Sequence, residues 1–324
     1  MAKIKVALLM GGQSSEHEVS LASGKMIVEA LDKKKYDLKP ITIAKNGKWL
    51  LPHKKTLVVS EGREALDRIK FRRGVDVVFI ALHGNRGEDG AIQGLLELAG
   101  VPYTGSGVLT SALAMDKEMT KKILKAEGIL MPNHVILEKN YQPADLRKIK
   151  LPVVIKPVRE GSSVGISVVK KKSELLPAIE EAFQFDSRVM AEEFVRGKEI
   201  TAAVLGNKKS RALPLIEIRP NVSSFFDYRA KYEAGGSEEI CPAPIGRTLT
   251  KKIQDIAVGI HRVLGCRGVT RSDFILRGNK PYFLEINTIP GMTKTSLVPQ
   301  AAERAGLPFP ELLDKLIELA LLGD

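Results

Sequence analysis

The sequence predicts an α/β fold that starts with a doubly wound parallel sheet and continues into antiparallel hairpins. In residues 1–105 strand patterns alternate with a helix pattern, and the first strand ends in a glycine turn. Two later stretches, 151–170 and 271–287, each contain two strand patterns around a short polar loop. The length of 324 residues suits two or three domains. We place them at 1–105, 106–200 and 201–324.

The overall charge of the chain favours anionic ligands. The sequence has 50 basic and 38 acidic residues, which gives a net charge of +12. Nucleic acid would also suit that charge, but aromatic residues make up only 5% of the chain and no basic run is interleaved with them. We therefore expect small anionic ligands and no nucleic acid.

The number of cysteines and the hydropathy of the sequence predict the cellular compartment of the protein. Cys241 and Cys266 are the only cysteines, and their spacing matches no metal site. The apolar start of the chain is too short for a signal peptide, and no stretch is long enough to span a membrane. These features predict a cytoplasmic protein without a membrane partner.

The N-terminal part is expected to bind ligands at the carboxyl ends of its strands. Strands are predicted at Lys5–Met10, Asp37–Ile43 and Val75–Leu82, with a helix from about Ser20 to Leu31. Glu16 lies in the turn after the first strand, where an acid favours a helix N-terminus or contacts a ligand. His83 follows the third strand, either as a ligand contact or as an ordinary loop residue.

The central part is expected to hold a glycine- and serine-rich hairpin loop, Arg159–Gly165. Its backbone N–H groups and hydroxyls could cradle phosphates, or the loop could be only a turn. It is not a Walker loop, because no GK[ST] occurs and no helix follows. Lys117 lies in a helix predicted from Ser111 to Glu127, where the residues alone indicate an exposed lysine. Other elements are predicted at Asn133–Leu137, Ala144–Ile149, Leu151–Pro157, Gly165–Lys170, Ser173–Phe185 with Ser173 as N-cap, Val189–Val195 and Glu199–Leu205.

The stretch 271–287 has the strongest chemical signal in the sequence. Two strands around Gly278-Asn279-Lys280 would place Asp273 opposite Glu285, and Arg271 opposite Asn287, on one sheet face. Facing carboxylates repel by up to about 4 kcal/mol at 4 Å in a surface-like dielectric. A cation such as Mg²⁺ or Mn²⁺ would reverse that effect, and so would a salt-bridge ladder through Arg271. The pattern leaves both interpretations open.

Two further segments complete the predicted cleft. Thr288–Leu297 is rich in hydroxyls and leads into a helix near Ser296, whose free N–H groups would attract a carboxylate or phosphate. Pro220–Ile245 lacks an apolar period, and a loop of that length is typical of a lid over a ligand. Helices are predicted at Leu249–Leu264, Ser296–Ala305 and Pro310–Leu322.

Five motifs together resemble the D-alanine–D-alanine ligase family of the ATP-grasp fold: EHEVS, ALHGNRGEDG, VIKPVREGSSVG, DYRAKY and RSDFIL…FLEINTIPGMTKTSL. They run in order along nearly the whole chain. The resemblance implies that residues 106–324 form a two-part ATP-grasp module, with the glycine/serine loop in its first part and the lid and metal site in its second.

The resemblance also implies roles for individual residues. Two Mg²⁺ or Mn²⁺ ions would be bound by Asp273, Glu285 and Asn287. ATP would be contacted by Lys117, Lys156, Ser162, Ser163, Glu192, Glu193, Val195, Glu199 and Lys231. The two D-alanines would be bound by Glu16, His83, Ser296 and Leu297. The groups acting on the reacting atoms, or on the network around them, would be Glu16, Ser162, Tyr232, Arg271 and the Gly291 N–H. Glu193 and Thr295 stand where some relatives carry lysine and histidine.

The activity implied is ATP-dependent formation of D-alanyl-D-alanine through an acyl phosphate, for cell-wall peptidoglycan precursors, by a homodimer. A D-alanine–D-lactate ligase is one alternative, against which Tyr232 in the AKY motif speaks. Another is an ATP-grasp carboxylate–amine ligase with an unrelated substrate. A non-catalytic nucleotide- or nucleic-acid-binding protein is the alternative from a different class.

Overall fold

The computed structural model describes residues 2–50, 74–161, 164–221, 236–293 and 295–323, and the backbone of 56–57. The fold is mixed α/β with three sheets, two of them antiparallel. Within these ranges every helix is too short or too polar to cross a bilayer.

The first sheet has a parallel centre. Its elements are β1 (Ile4–Gly11), α1 (His17–Ala30), β2 (Tyr36–Ile43), β3 (Trp49–Leu50), β4 (Thr56–Leu57) and β5 (Val77–Ile80). The strand order is β4-β3-β2-β1-β5, with β1 parallel to both of its neighbours. Helix α1 begins before the predicted Ser20, because Ser20 already lies in the first turn and its hydroxyl donates to the Ala81 carbonyl at 2.6 Å.

One predicted helix is in fact two. After α2 (Ala91–Ala99) come α3 (Val108–Met115) and α4 (Lys117–Ala126). Asp116 interrupts them with φ −85° and ψ 94°, and its carboxylate accepts the Met119 N–H at 3.0 Å. Because aspartate is a favourable N-cap, a new helix starts there in a new direction. The expectation of an exposed Lys117 was wrong, since that residue is only 6% exposed.

The second sheet is antiparallel and carries the root of the glycine/serine loop. Its elements are β6 (His134–Glu138), α5 (Pro143–Leu146), β7 (Val153–Pro157), β8 (Ser167–Val169), α6 (Leu175–Ala182) and β9 (Arg188–Glu193), in the order β6-β9-β7-β8. Ser173 is not the N-cap of α6. It lies in a 3₁₀ turn, and Glu174 instead accepts the N–H groups of Lys170 and Lys171 at 3.0 and 3.1 Å.

The third sheet is also antiparallel. Its strands are β10 (Lys198–Leu205), β11 (Arg211–Ala212), β12 (Ile216–Pro220), β13 (Ser237–Ile240), β14 (Val269–Arg277) and β15 (Lys280–Asn287). The helices in this part of the chain are α7 (Arg247–Val263), α8 (Leu297–Arg304) and α9 (Phe309–Leu322). The order is β13-β12-β10-β14-β15, with β11 paired to β10. Strand β13 corrects the predicted loop, because residues 237–240 pair with β12. Residues 222–235 of the predicted lid lie outside the described residues.

The turn between β14 and β15 is shorter than predicted. Gly278 and Asn279 alone connect the strands, so Arg277 faces Lys280 and not Pro281. Gly278 has φ 60°, which suits the first central position of a type II′ turn. The predicted three-residue loop was therefore wrong by one residue.

A β-bulge further along the same hairpin compensates for that shift. Leu284 is an extra residue in β15 with no partner in β14. Beyond this bulge the register between the two strands shifts by one residue, which cancels the shift made by the shorter turn. Asp273 then faces Glu285 and Arg271 faces Asn287, which are the predicted pairs. The acidic pair thus depends on a bulge that residue patterns did not indicate.

The end of the chain packs against its beginning. Leu312, Leu313 and Leu316 of α9 share one buried cluster with Val6 and Phe79 of the first sheet. The same cluster includes residues of β10 and α8, so it joins the first and third sheets.

Candidate active site

Two cavities meet between the sheets, one of about 470 Å³ and one of about 120 Å³. Of the predicted site residues, the larger cavity is lined by Glu16, His83, Lys117, Arg271, Glu285, Asn287, Gly291, Ser296 and Leu297. The smaller cavity is lined by Lys156, Glu192, Glu193, Val195, Glu199, Asp273 and Glu285. Glu285 lines both. The other predicted site residues, Ser162, Ser163, Lys231 and Tyr232, lie outside the described residues.

Glu16 is a buried acid held close to two backbone segments. It is 8% exposed and occupies the N-cap position of α1 without a capping hydrogen bond from its side chain. A Cβ built on Gly84 or Gly161 would come within 3.0 or 2.9 Å of Glu16 Oε2. Glycine at both positions therefore leaves room for this carboxylate, which faces the larger cavity.

His83 is the centre of a buried network. Its Nδ1 lies 3.0 Å from the Ile289 carbonyl and 3.3 Å from Glu88 Oε1, and its Nε2 lies 3.1 Å from Ser23 Oγ. Burial opposes the charged ring, yet Glu88 outweighs it and raises the pKa of His83. Burial also raises the pKa of the Glu88 carboxyl. The raised pKa favours the cationic form of His83, and a cationic imidazole beside the cavity is suited to binding a carboxylate.

The acidic hairpin pair is surrounded by cations. Arg271 donates from Nε and Nη2 to Asp273 at 3.0 and 2.9 Å, and Lys117 Nζ lies 3.7 Å from Glu285 Oε2. Thr201 Oγ1 donates to Asp273 at 2.6 Å. The sequence left open a salt-bridge ladder in which Arg271 would neutralise both acids. The structure shows the ion pair of Arg271 with Asp273, which is one of the two pairs in that ladder.

The donor set at this hairpin fits a hard cation. Asp273, Glu285 and Asn287 supply oxygen atoms from one sheet face, and Asn287 Oδ1 is oriented by the Ile289 N–H at 2.8 Å. Two carboxylates with an amide are ligands that suit Mg²⁺ or Mn²⁺. No cluster of three or more His, Cys, Asp and Glu residues with metal-binding geometry occurs in the described ranges.

A buried ionic cluster lies beside the smaller cavity. Glu192 is 2% exposed, and its two carboxylate oxygens lie 2.5 Å from Lys121 Nζ and 2.7 Å from Lys156 Nζ. Burial raises the pKa of Glu192, but the two lysines outweigh this and hold it below its usual value. Its side chain therefore pairs with both lysines, and Glu192 and Glu193 both line the smaller cavity.

The turn before α8 is compact because of one glycine. A Cβ on Gly291 would lie 2.8 Å from Ser296 Oγ, and that oxygen accepts the Thr293 N–H at 3.0 Å. Ser296 is the N-cap residue of α8, as predicted, without a capping bond from its side chain. The start of α8 lies at the wall of the larger cavity, and the first turn of a helix suits an anion.

Sequence reasoning missed several charged residues of this region, among them Glu88, Glu160 and Lys121. Glu88 and Glu160 line the larger cavity, and Glu160 accepts the Asn85 side-chain N–H at 2.7 Å. Lys121 follows Lys117 by four residues, a spacing that puts both on one helix face. That spacing could have revealed Lys121, whereas the contacts of Glu88 and Glu160 depend on tertiary structure.

The fold and the cleft define a mixed α/β protein with a charged ligand site between its sheets. Two family models match the sequence, the D-ala D-ala ligase N-terminus over residues 5–106 and the D-ala D-ala ligase C-terminus over residues 123–318. The chain belongs to the D-alanine–D-alanine ligase family, which confirms the resemblance seen in its motifs.

Individual relatives agree over almost the full length. A protein of Syntrophobacter fumaroxidans named D-alanine–D-alanine ligase is 47% identical over 324 residues, or 98% of each chain. The solved D-alanine–D-alanine ligase of Bacillus anthracis complexed with ATP is 34% identical, with a TM-score of 0.81 over 98% of both chains. The VanG D-Ala:D-Ser ligase of Enterococcus faecalis is 36% identical, with a TM-score of 0.83 over 98% of this chain and 100% of that one.

Proposed function

We propose that this chain is an ATP-dependent ligase that joins two D-alanine molecules into D-alanyl-D-alanine for cell-wall peptidoglycan precursors. The observation that carries the proposal is the pair of cavities that meet at Glu285. A reaction that transfers phosphate to a carboxylate needs the nucleotide and the amino acid side by side, with charge compensation between them. Family membership supports the same activity.

The smaller cavity is the proposed nucleotide site. The backbone of the segment Glu192–Val195 would hold the adenine and Glu199 the ribose, while Lys156 and Lys117 would face the phosphates. By the sequence resemblance, Ser162, Ser163 and Lys231 would complete the phosphate contacts. Lysines suit this role because they offset the charge of the phosphates.

Asp273, Glu285 and Asn287 would hold Mg²⁺ or Mn²⁺, which neutralises charge on the transferring phosphoryl group when bound. The proposal of two ions rests on the sequence resemblance. The facing carboxylates and the oriented Asn287 carbonyl support it.

The larger cavity is the proposed site of both amino acids. Glu16 would pair with the ammonium of the first D-alanine, since its buried carboxylate lies at this cavity and is opposite in charge to an ammonium. His83, Ser296 and the backbone of Leu297 would bind the carboxylate of the second D-alanine. A cationic imidazole and a helix N-terminus both favour an anion.

The proposed reaction has two steps. The carboxylate of the first D-alanine attacks the γ-phosphorus of ATP, ADP leaves, and an acyl phosphate forms. The amine of the second D-alanine attacks the acyl carbon, loses a proton, and the tetrahedral oxyanion collapses and expels phosphate. Arg271 and the Gly291 N–H would stabilise that oxyanion, by about 3–4 kcal/mol for each donor. By the sequence resemblance, Tyr232 and Ser162 would form a hydrogen-bonded network with Glu16.

The finer architecture is proposed in three parts: a doubly wound, Rossmann-like N-terminal domain at 1–105, and the two halves of an ATP-grasp module at 106–200 and 201–324. The parallel centre of the first sheet and the two antiparallel sheets support this division. The third sheet begins with Lys198, at the start of β10, which is three residues before the proposed boundary between 200 and 201. We also propose a cytoplasmic homodimer, to be tested by light scattering.

The proposal is tested by ADP release with D-alanine, L-alanine, D-serine and D-lactate compared side by side, and by mass spectrometry of the products. We expect ATP-dependent formation of D-alanyl-D-alanine, with the other three substrates much slower. Absence of the dipeptide, or a faster reaction with D-serine or D-lactate, would overturn the assignment of the second substrate. A failure to release ADP with any of them would overturn the ligase function itself.

A further inference from the structure

Lys121 is a buried cation to which the proposed reaction assigns no role. It lies on α4, one turn after Lys117, and is 1% exposed. Its Nζ lies 2.5 Å from Glu192 Oε1, 3.4 Å from the Phe283 carbonyl oxygen and 5.9 Å from the centre of the Phe283 ring. Burial lowers the pKa of Lys121, against the effect of Glu192. A lysine is rarely buried so completely unless a partner needs its charge.

The partner of Lys121 is Glu192, which also pairs with Lys156. Its second oxygen lies 2.7 Å from Lys156 Nζ, and Lys156 and Glu192 both line the smaller cavity. Lys121 does not line that cavity, and so it affects a ligand there only through the other two. With both lysines protonated, two lysines and one glutamate leave one unit of positive charge in the cluster.

The charge balance depends on Lys121. Without it, Glu192 and Lys156 would form a one-to-one ion pair beside the cavity with no net charge. An anionic ligand would then have to compete with Glu192 for Lys156, the one lysine left in this cluster. Because the cluster is buried, solvent would do little to weaken that competition.

We propose that Lys121 is a positioning residue for the nucleotide: it neutralises Glu192, so that Lys156 stays available to the ATP phosphates. This rests on the proposed nucleotide site. Lys121 touches neither the nucleotide nor the reacting atoms, and it acts through Glu192. The same arrangement explains why a glutamate is tolerated next to a phosphate site at all.

The test is a double-mutant cycle, which isolates the coupling of two residues. The variants are Lys121→Met, Glu192→Gln and both together, with Lys125→Met as a control on an exposed lysine of the same helix. Calorimetry would measure the Kd of ADP with Mg²⁺, and steady-state assays would separate the KM for ATP from kcat. Direct ADP binding does not depend on which amino acids are joined, so failure of the proposed reaction would be distinguished from failure of this inference.

We expect Lys121→Met to raise the Kd of ADP and the KM for ATP about tenfold, with smaller changes in kcat and in the KM for D-alanine. In the Glu192→Gln background the same substitution should leave the Kd of ADP nearly unchanged, because no carboxylate is left to capture Lys156. Lys125→Met should behave like the wild type. If Lys121→Met does not fold, Lys121→Gln, which retains donors toward Glu192 and Phe283, serves the same comparison.

Two outcomes would overturn the inference. An equal loss of ADP affinity in both backgrounds would mean that Lys121 acts independently of Glu192. A lower Tm with unchanged ADP affinity would mean that Lys121 only supports the fold.

Discussion

Glu285 is the residue at which the two cavities meet. It faces Asp273 across the hairpin and lies 3.7 Å from Lys117, and its side chain is 31% exposed. A partly exposed carboxylate next to another acid contributes little to folding. Its position at both cavities supports the proposed role in metal binding.

We predict that Glu285→Gln abolishes turnover while leaving Tm nearly unchanged. Loss of a metal ligand removes several kcal/mol of charge stabilisation in the transition state, which corresponds to about a hundredfold or more in rate. Steady-state kinetics and thermal unfolding would measure both effects, with Glu318→Gln on α9 as the control. Full activity at ordinary Mg²⁺ concentrations would contradict the metal assignment.

The specificity residue predicted from the sequence is Tyr232. Loss of its hydroxyl would leave a hydrogen-bond partner unsatisfied, at about 1–3 kcal/mol. We expect Tyr232→Phe to increase turnover with D-lactate relative to D-alanine, measured between about pH 6 and pH 9 because the amine titrates and the hydroxyl does not. Tyr141→Phe, in the central part of the chain, is the matched control. An unchanged ratio would leave Tyr232 only a packing role.

At the scale of elements, the root of the glycine/serine loop touches the turn between β1 and α1. Asn85, in the loop after β5, also donates to the Glu160 side chain in this root, at 2.7 Å. Lys117 further donates to the Glu160 carbonyl. The proposed ammonium site at Glu16 thus lies in contact with the loop proposed to close over ATP.

This contact predicts the effect of Gly161→Ala. The added Cβ would lie 2.9 Å from Glu16 Oε2, so the carboxylate would have to move. Because charged hydrogen bonds are sensitive to geometry, we expect the KM for the first D-alanine to rise about tenfold with little change in Tm. Gly246→Ala is the control, because a Cβ there has no neighbour within 4 Å. A normal KM in Gly161→Ala would show that Glu16 does not hold the ammonium in this position.

At the scale of the whole molecule, pH should affect stability through His261. This residue is fully buried, with Nδ1 2.8 Å from Thr270 Oγ1 and Nε2 3.0 Å from the Gly206 carbonyl oxygen. Burial lowers the pKa of His261 to about 4. The folded state keeps the ring neutral, whereas the unfolded chain takes up a proton below about pH 6.5. The contribution of the neutral His261 ring to the free energy of unfolding is therefore complete above about pH 6.5, and it is lost as the pH falls toward 4.

We predict that the free energy of unfolding falls by about 2 kcal/mol more in the wild type than in His261→Gln when the pH is lowered from about 7 to about 5. Urea unfolding of both proteins at the two pH values would measure it. The comparison uses the change with pH, so a constant loss of stability in the variant does not affect it. Parallel pH dependence in the two proteins would contradict a neutral, buried His261.

Local patterns in the sequence were enough for the family, most strands and helices, and the pairing of Asp273 with Glu285, because alternation, turn residues and motif order are properties of neighbouring residues. The same patterns were wrong about the turn after Arg277 and about the exposure of Lys117. The bulge at Leu284 depends on how β15 fits its neighbours, and the burial of Lys117 depends on the helix break at Asp116 and on β15 packing opposite. The ionic cluster of Lys121, Glu192 and Lys156 was also decided by tertiary structure, because the charge state of a buried group is set by side chains that are distant in the sequence and close in space.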